Sequence, residues 1–481
     1  MFTGIDIGGT NTDIAVIDSQ INTYKVPNTD GLDNALQKIS SYGRLAISTS
    51  QPLNEIITGH PADIRTITIP GPGLVYPGAV KGSVSHRGDI VEPIDPEEIK
   101  KIMKGQHARA IAIAGKFSVR NDALEKRVYD IVSQFYSDEQ IALSYPIGAL
   151  NFPARIHTTK LNARIKGKVA SLIRQIQRVN PDFFFVTSTG GLTSPARALD
   201  NPMLLFHSSP ATVANGAYYL TKHENCLVID IGGTTTELVP LKDGKPIFET
   251  VVLEGAKTMI QAVSSMSIPF GGDSCIRSDL CPFRAGSSRS FGGGEPTLTD
   301  ALNVMGARIG DAERSEVLDH ATAQKVVHQY LETVASAVKE YHPEFLIGTG
   351  YLAHYLLSDI AERAQTVGIV PEHAASANAV GAAVSKVSLE VHIHVDSERK
   401  RLTLNGITYP YKDTRDEEHL LLYVTELVRD IARKEGAPEE DIEEIEVLYF
   451  SSYDVVRGWR VTAKITDLVL AIAPGISVEA L

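Results

Sequence analysis

One phrase is written twice in this chain. Residues 5–12 read IDIGGTNT and residues 229–236 read IDIGGTTT, so seven of eight positions agree at a separation of 224 residues. Each copy follows an apolar lead-in and runs on into apolar residues, DIAVID after the first and ELVPL after the second. A long-range internal repeat predicts duplicated architecture. The repeated unit predicts a strand carrying an Asp, a tight Gly-Gly-Thr turn and a second strand that leaves antiparallel. Glycine supplies the backbone freedom of the turn and lets N–H groups face an anion at close range. The Thr hydroxyls add donors, and an Asp at the strand end can hold a divalent ion or order water. Two such hairpins facing each other would clamp a polyphosphate from both sides.

The bulk numbers bound what else the chain can be. A length of 481 residues with 43% hydrophobic and 22% charged residues is ordinary globular material for roughly two to four domains. The net charge of −12 argues against a generic nucleic-acid or anionic-membrane surface. Cys226, Cys275 and Cys281 are the only cysteines, which excludes a disulfide framework and points to a reducing compartment, the cytoplasm. The start of the chain has no basic and apolar leader pattern, and no uncharged run reaches about 18 apolar residues, so neither a signal peptide nor a membrane span is expected.

Along the chain, apolar periodicity predicts strands at 2–18, near 21–26, 44–49, 110–115, 226–241 and 247–253, a strand running into a Gly turn at 183–191, a strand, Gly turn and helix at 345–356, and helices at 32–41, 121–137, 154–178, 320–340 and 374–387. Asp95-Pro96-Glu97-Glu98 reads as a helix start. The small-residue stretch 208–220 predicts a helix packed tightly on its neighbour. Residues 268–296 are rich in Gly and Ser and carry Asp273, Arg277, Arg284 and Arg289, the pattern of a long functional loop. From 389 onward the alternation changes to short strands with a helix at 416–434.

The order of hairpin, helical middle, second hairpin and strand–Gly-Thr-Gly–helix resembles the phosphate-1, phosphate-2 and adenosine motifs of the actin, Hsp70 and sugar-kinase ATPase superfamily. Within it the chain is similar to the hydantoinase/oxoprolinase family, the A-type subunits of N-methylhydantoinase and 5-oxoprolinase. The stretches that carry the likeness are GIDIGGTNTDIAVID (4–18), TSTGGLTSPARALDNP (187–202), HSSPATVANGA (207–217), VIDIGGTTTELV (228–239), GGGEPTLTDA (292–301) and LIGTGYLAHYL (346–356). The resemblance implies an α/β fold: two ribonuclease-H-like (actin-like ATPase) lobes around a nucleotide cleft, plus a small C-terminal α+β domain. The expected division is an N-terminal lobe at 1–182 with an inserted subdomain at about 60–150, a second lobe at 183–387 and a C-terminal domain at 390–481, the last a shortened version of the family's C-terminal region.

The resemblance also implies ATP and Mg²⁺ as cofactors. Gly8, Gly9, Thr10, Asn11 and Thr12 would hold the β- and γ-phosphates, with Gly232, Gly233, Thr234, Thr235 and Thr236 opposite. Asp6 and Asp230 would act in catalysis by holding the metal or its waters, and Gly348, Thr349 and Gly350 would meet the adenosine. The implied reaction is hydrolysis of a cyclic amide through phosphorylation of its ring carbonyl oxygen. The substrate would be a small cyclic amide or carboxylate, with a B-type protein subunit as a candidate partner in a homo- or hetero-oligomer. An activase, a carboxylase-type subunit and a small-molecule kinase are the other readings of the same ATPase motifs.

The chain departs from the family pattern where a His-Thr-Val-Gly-Ala-Gly-Gly-Gly-Ser stretch is expected and Met266–Ser274 stands instead. Asp273 in that run is either a general base replacing the lost His or a turn cap. Asp300 is a helix cap or a functional acid. Arg277, Arg284 and Arg289 either bind a carboxylate or form a solvated set. His392 and His394 alternate as a metal pair would, or are structural, and Arg155, His157, Thr158, Thr159 and Asn162 fit a packing role.

Overall fold

The computed structural model describes residues 1–9, 11–28, 31–37, 43–58, 63–105, 108–411 and 416–480. Contacts divide the chain into two compact units, each discontinuous in sequence: residues 1–48, 208–249 and 263–384 form the first, and 49–207, 250–262 and 385–481 the second.

The first unit repeats one strand plan. Phe2–Ile7, Asn11–Ile17 and Ile21–Pro27 form an antiparallel meander, and Arg44–Thr49 lies on the other side of the first strand. Cys226–Ile231, Thr236–Lys242 and Lys245–Pro246 form a second meander, and Phe345–Thr349 lies parallel to the first of these strands. The order third–second–first–fourth is therefore the same twice, as the repeated phrase predicts. The first strand of each copy is buried along nearly its whole length, as expected for strands covered on both faces. Against the second sheet the helices His320–Tyr341 and Ala353–Ala364 bury Val327, Tyr330, Val334, Leu356 and Ile360 onto Leu227, Ile229 and Ile231.

Two helices of small residues, Ser209–Thr221 and Ala377–Val384, cross at backbone contact. A methyl group on Gly216 would lie 2.0 Å from the Ala377 carbonyl oxygen, and one on Gly381 would lie 1.9 Å from the Thr212 carbonyl oxygen. On its other side Ala377–Val384 meets the first strand, where a methyl group on Gly4 would lie 1.9 Å from the Ala379 carbonyl oxygen. This explains the small-residue stretches at 208–220 and 374–387: larger side chains would push the layers apart.

In the second unit Ile64–Ile69, Ala110–Gly115 and Ile141–Leu143 form a parallel sheet with Ile67, Ile111, Ile113 and Val128 in its core. Pro96–Met103 starts as read from sequence, with the Asp95 carboxylate accepting from the Glu97 N–H at 3.0 Å. The predicted long helix spans Phe152–Gln177. Its Arg155 is fully buried and donates to the carbonyls of Ala149 at 2.7 Å, of Lys116 at 2.8 Å and of Gly115, while Glu125 beside it accepts from the N–H groups of Gly115 at 2.7 Å and Ser144 at 2.8 Å. With Nε donating to the Ser144 hydroxyl at 3.1 Å, all three guanidinium nitrogens are hydrogen-bonded, which is what makes the burial of this charge tolerable. Thr158 accepts from the Met259 N–H and Asn162 from the Met203 N–H, both at 2.8 Å; these are packing roles.

The same unit carries an antiparallel sheet in the order Ile407–Pro410, Arg401–Leu404, Leu389–Asp396, Arg460–Ile472 and Glu446–Arg457, with the helix Glu417–Lys434. Arg87 forks onto Asp396 at 2.6 and 2.7 Å and pairs with Glu398 at 2.7 Å, tying this sheet to the turn at 85–89. Among the described residues no helix is long and apolar enough to cross a membrane.

The helix crossing gives a stability prediction. Gly216→Ala and Gly381→Ala each drive a methyl group into backbone, which cannot rotate away, and are expected to cost about 2–3 kcal/mol or more. Gly9→Ala, whose methyl group would meet nothing within 4 Å, is the control. Thermal melts should show large drops for the first two and little change for the third.

Candidate active site

Both copies of the phrase fold as the same hairpin. In the first, Asp6 sits opposite Asp13 and Ile7 opposite Thr12, and the Gly8 N–H donates to the Asn11 carbonyl at 3.1 Å. In the second, Asp230 sits opposite Glu237 and Ile231 opposite Thr236, and the Gly232 N–H donates to the Thr235 carbonyl, again at 3.1 Å. The turns protrude: Gly9, Gly233 and Thr234 are exposed, Gly8, Asn11, Gly232 and Thr235 half-buried. Thr10 lies outside the described residues. Asn28, which the sequence did not single out, braces the first turn by donating to the Gly8 carbonyl at 2.9 Å and accepting from the Thr12 hydroxyl at 3.1 Å.

Behind the turns sit the two aspartates. Asp6 is buried, and burial, then the nearby Asp13 and Asp230 charges, push its carboxyl up to about 7 against the pull of a Ser48 hydrogen bond. Burial also raises Asp230, against hydrogen bonds from Thr349 at 2.9 Å and Asn378 at 3.5 Å. Lys25 pairs with Asp13 at 2.8 Å. The helix Ala377–Val384 therefore reaches both hairpins: its backbone touches Gly4, two residues before Asp6, and its Asn378 reaches Asp230. Asn378 and Ser48 were missed from sequence because neither lies in a glycine-rich motif. Only the strand end at Ser48 hinted at a polar group there.

The Gly-rich run after Met266 folds onto the second turn. The Gly272 N–H donates to the Gly232 carbonyl at 3.0 Å and the Asp273 N–H to the Gly233 carbonyl at 2.6 Å. Gly233 is close beneath the carboxylate, since a methyl group there would lie 2.9 Å from Asp273 Oδ2. Asp273 pairs with Arg284 at 3.1 Å; burial raises its carboxyl while Arg284 pulls it back. The Thr236 hydroxyl points inward to the Phe270 carbonyl at 2.9 Å and the Tyr330 hydroxyl at 2.7 Å, so it braces the second turn from within.

At the third motif the structure separates the roles of the residues. Thr349 is buried and holds Asp230. Gly350 adopts a φ of +81° and passes close to Ile231, where a methyl group would lie 2.5 Å from the carbonyl oxygen. Gly348 faces helix side chains: a methyl group would lie 2.7 Å from Leu357 and 3.2 Å from Ala353. Both glycines thus have a packing reason within the fold.

Other sequence candidates resolve into braces. Asp300 is fully buried and accepts from the N–H groups of Arg289, Ser290 and Thr297 at 2.9–3.0 Å and from the Ser315 hydroxyl at 2.8 Å, a capping and loop-fixing set. Arg289 donates to the Gly294 carbonyl at 2.7 Å. His394 faces Asp467 and His392 faces Glu390, each at 2.8 Å. Among the described residues no three His, Cys, Asp or Glu side chains cluster as a metal cage. The Asp6–Asp230 set is a different kind of site: two acidic groups behind phosphate-type turns suit Mg²⁺, which takes one or two carboxylates and fills the rest of its shell with water and phosphate oxygens.

Comparison with known proteins bears on the family and the fold. Residues 155–340 match the family described as Hydantoinase/oxoprolinase and residues 77–136 its N-terminal region. An uncharacterized protein of Methanocaldococcus jannaschii is 23% identical over 417 residues, covering 70% of this chain and 61% of the relative. The acetophenone carboxylase gamma subunit of Aromatoleum aromaticum is 23% identical over 329 residues, covering 55% of this chain and 44% of the relative. The chain thus spans under two thirds of the length of these curated relatives. Among solved structures, nucleotide-free acetone carboxylase superposes with a TM-score of 0.69 at 16% identity, over 99% of this chain and 88% of the other. The ATP-dependent caprolactamase of Pseudomonas jessenii superposes with a TM-score of 0.66 at 18% identity, over 98% and 87%. The matched residues 77–136 and 155–340 take in the second Asp-Ile-Gly-Gly-Thr hairpin and half of the chain, and with the agreement in fold they show that the chain belongs to the hydantoinase/oxoprolinase family, with the actin-like ATPase fold.

Proposed function

We propose that the chain binds Mg-ATP at its paired glycine turns and uses it to open a small cyclic amide. The observation that carries this reading is the pair of hairpins of matching register, each closed by the same glycine N–H bond, with buried aspartates behind them and Asp273 over the second. Backbone N–H groups of Gly9, Asn11 and Gly233 and the hydroxyls of Thr234 and Thr235 would orient the phosphates, while the Gly8 and Gly232 N–H groups close the turns. Mg²⁺ at Asp6 and Asp230, when bound, neutralises phosphate charge, which with positioning is most of what phosphoryl transfer needs.

In this reading the ring carbonyl oxygen bonds to the γ-phosphorus, the bond to the bridging oxygen breaks and ADP leaves. Water then adds to the carbonyl carbon, and Asp273 takes its proton. The carbon–nitrogen bond breaks as the ring nitrogen takes up a proton, and a second water releases phosphate from the acyl group. Burial raises the Asp273 carboxyl, and Arg284, by pairing with it, offsets part of that rise and favours the ionised form that accepts. A second reading, in which the activated carbonyl is used for carboxylation within a multi-subunit enzyme, is favoured by the likeness to an acetophenone carboxylase gamma subunit. Either reading admits a B-type partner subunit.

The deciding experiment is ADP and phosphate release from Mg-ATP, alone and with 5-oxoproline, hydantoin and N-methylhydantoin. Ring-dependent release with one ADP per opened ring is expected; tight ATP binding with no ring-dependent turnover would overturn the hydrolase reading. Gly9→Ala should lower turnover by about tenfold or more while the fold survives, because its methyl group enters the space kept open for phosphate.

The buried acids also predict a trade of stability for function. Asp6 keeps its proton up to about pH 7 when folded and releases it near pH 4 when unfolded. Its burial therefore costs nothing below pH 4, costs more as pH rises, and costs most above 7. In EDTA, Asp6→Asn should melt several degrees above wild type at pH 8.5 and close to it at pH 4.5, with Mg-ATP turnover lost. A melting difference that does not change with pH would refute the assignment of that cost to Asp6.

A further inference from the structure

The third motif runs into two tyrosines that the core does not use. The strand Phe345–Thr349 turns through Gly350, Tyr351 and Leu352, and the helix Ala353–Ala364 follows. Leu352, Leu356, Leu357 and Ile360 recur at helical spacing and are buried in the core against the second sheet, so the inward face is complete without an aromatic residue. Tyr351 and Tyr355, four positions apart at the head of the helix, stay 42% and 38% exposed. Their ring centroids lie 6.2 Å apart with the planes inclined by 49°. The rings are thus too inclined to stack face to face, and exposed aromatic surface remains.

Their neighbours in the chain tie them to the second turn. Thr349, two residues before Tyr351, donates to Asp230 at 2.9 Å. A methyl group on Gly350, the residue between, would lie 3.0 Å from Asp230 Oδ1. Leu352, the residue after, meets the loop that carries Asp273: a methyl group on Gly272 would lie 2.7 Å from its Cδ1. A nucleotide is lopsided, with its base beyond the α-phosphate and ribose, to one side of the phosphates that paired turns would hold. The strand plan is repeated, but the aromatic pair is not: the fourth strand of the first copy, Arg44–Thr49, runs into Ser50-Gln51-Pro52. Bases stack on aromatic side chains through their ring faces, a contact that needs exposed ring surface and no particular hydrogen-bond partner. We propose that Tyr351 and Tyr355 form the platform on which the base of the bound nucleotide stacks, the second copy of the repeat holding the base end while both copies hold the phosphates; this rests on the reading of the paired turns as an Mg-ATP site.

Calorimetric titration of the full chain with Mg-ATP and with Mg-tripolyphosphate, which has the phosphates but no base, tests it. Tyr351→Ala and Tyr355→Ala, at sites exposed enough to keep the fold, should each weaken Mg-ATP by about tenfold, the loss of one stacking ring. Neither should change the affinity for Mg-tripolyphosphate. Tyr351→Phe, which keeps the ring, should bind Mg-ATP as wild type does. A merely structural role would weaken both ligands in step. Unchanged Mg-ATP affinity in either alanine variant, or equal losses for the two ligands, would overturn the stacking platform and leave the nucleotide reading standing. A wild-type chain that binds neither ligand would overturn that reading, and the platform with it.

Discussion

The backbone contact between Ser209–Thr221 and Ala377–Val384 is the constraint from which the rest of the first unit follows. Three glycines, Gly4, Gly216 and Gly381, remove the side chains that would otherwise separate two helices and a strand. The close approach brings one helix against the first hairpin and lets its Asn378 reach the aspartate of the second. Were the layers about 2 Å further apart, the size of one methyl group, Asn378 would no longer bridge to Asp230. The same contact that packs the core therefore sets the spacing behind the two turns.

That spacing has an energetic cost. Asp6 and Asp230 are buried with Asp13 nearby, and burial raises both carboxyls. Lys25 is positioned on Asp13, with Asp6 and Asp230 receiving hydrogen bonds from Ser48, Thr349 and Asn378. Neutral donors orient a carboxylate without neutralising it, which leaves the pair able to accept a cation. A fold optimised for stability alone would place amides or apolar groups there. The second unit shows the opposite solution: Asp396 and Glu398 meet Arg87 directly, and burial of Asp396 is offset by bidentate charge-assisted bonds.

Much of this was legible in the sequence. The repeated phrase gave both hairpins and, through duplication, the shared strand order. Asp95-Pro96 marked a helix start and 154–178 a long helix. The small-residue stretch at 208–220 marked a tight crossing. What sequence could not show was direction. Thr234 and Thr236 read alike, yet Thr236 opens the second strand and turns into the core against Tyr330, whereas Thr234 lies in the turn before it and stays exposed. Asp273 reads as a catalytic candidate and Asp300 as a helix cap or functional acid, and the folding of the loop separates them: Asp273 comes to rest over Gly233, Asp300 among the donors of Arg289, Ser290, Thr297 and Ser315. Asn378 was silent because its partner is 148 residues away.

The glycines make the same point in reverse. Gly9 and Gly348 belong to motifs that read as equally ligand-facing, but a methyl group on Gly348 would strike Leu357 and Ala353, whereas one on Gly9 would enter open space. A glycine that packing requires explains itself. Gly9, on an exposed turn, meets no neighbour within 4 Å among the described residues and has no positive φ to satisfy, so packing does not account for it. In the proposed function that open backbone is where an anion carrying its own cation would approach, with Asp6 behind the turn.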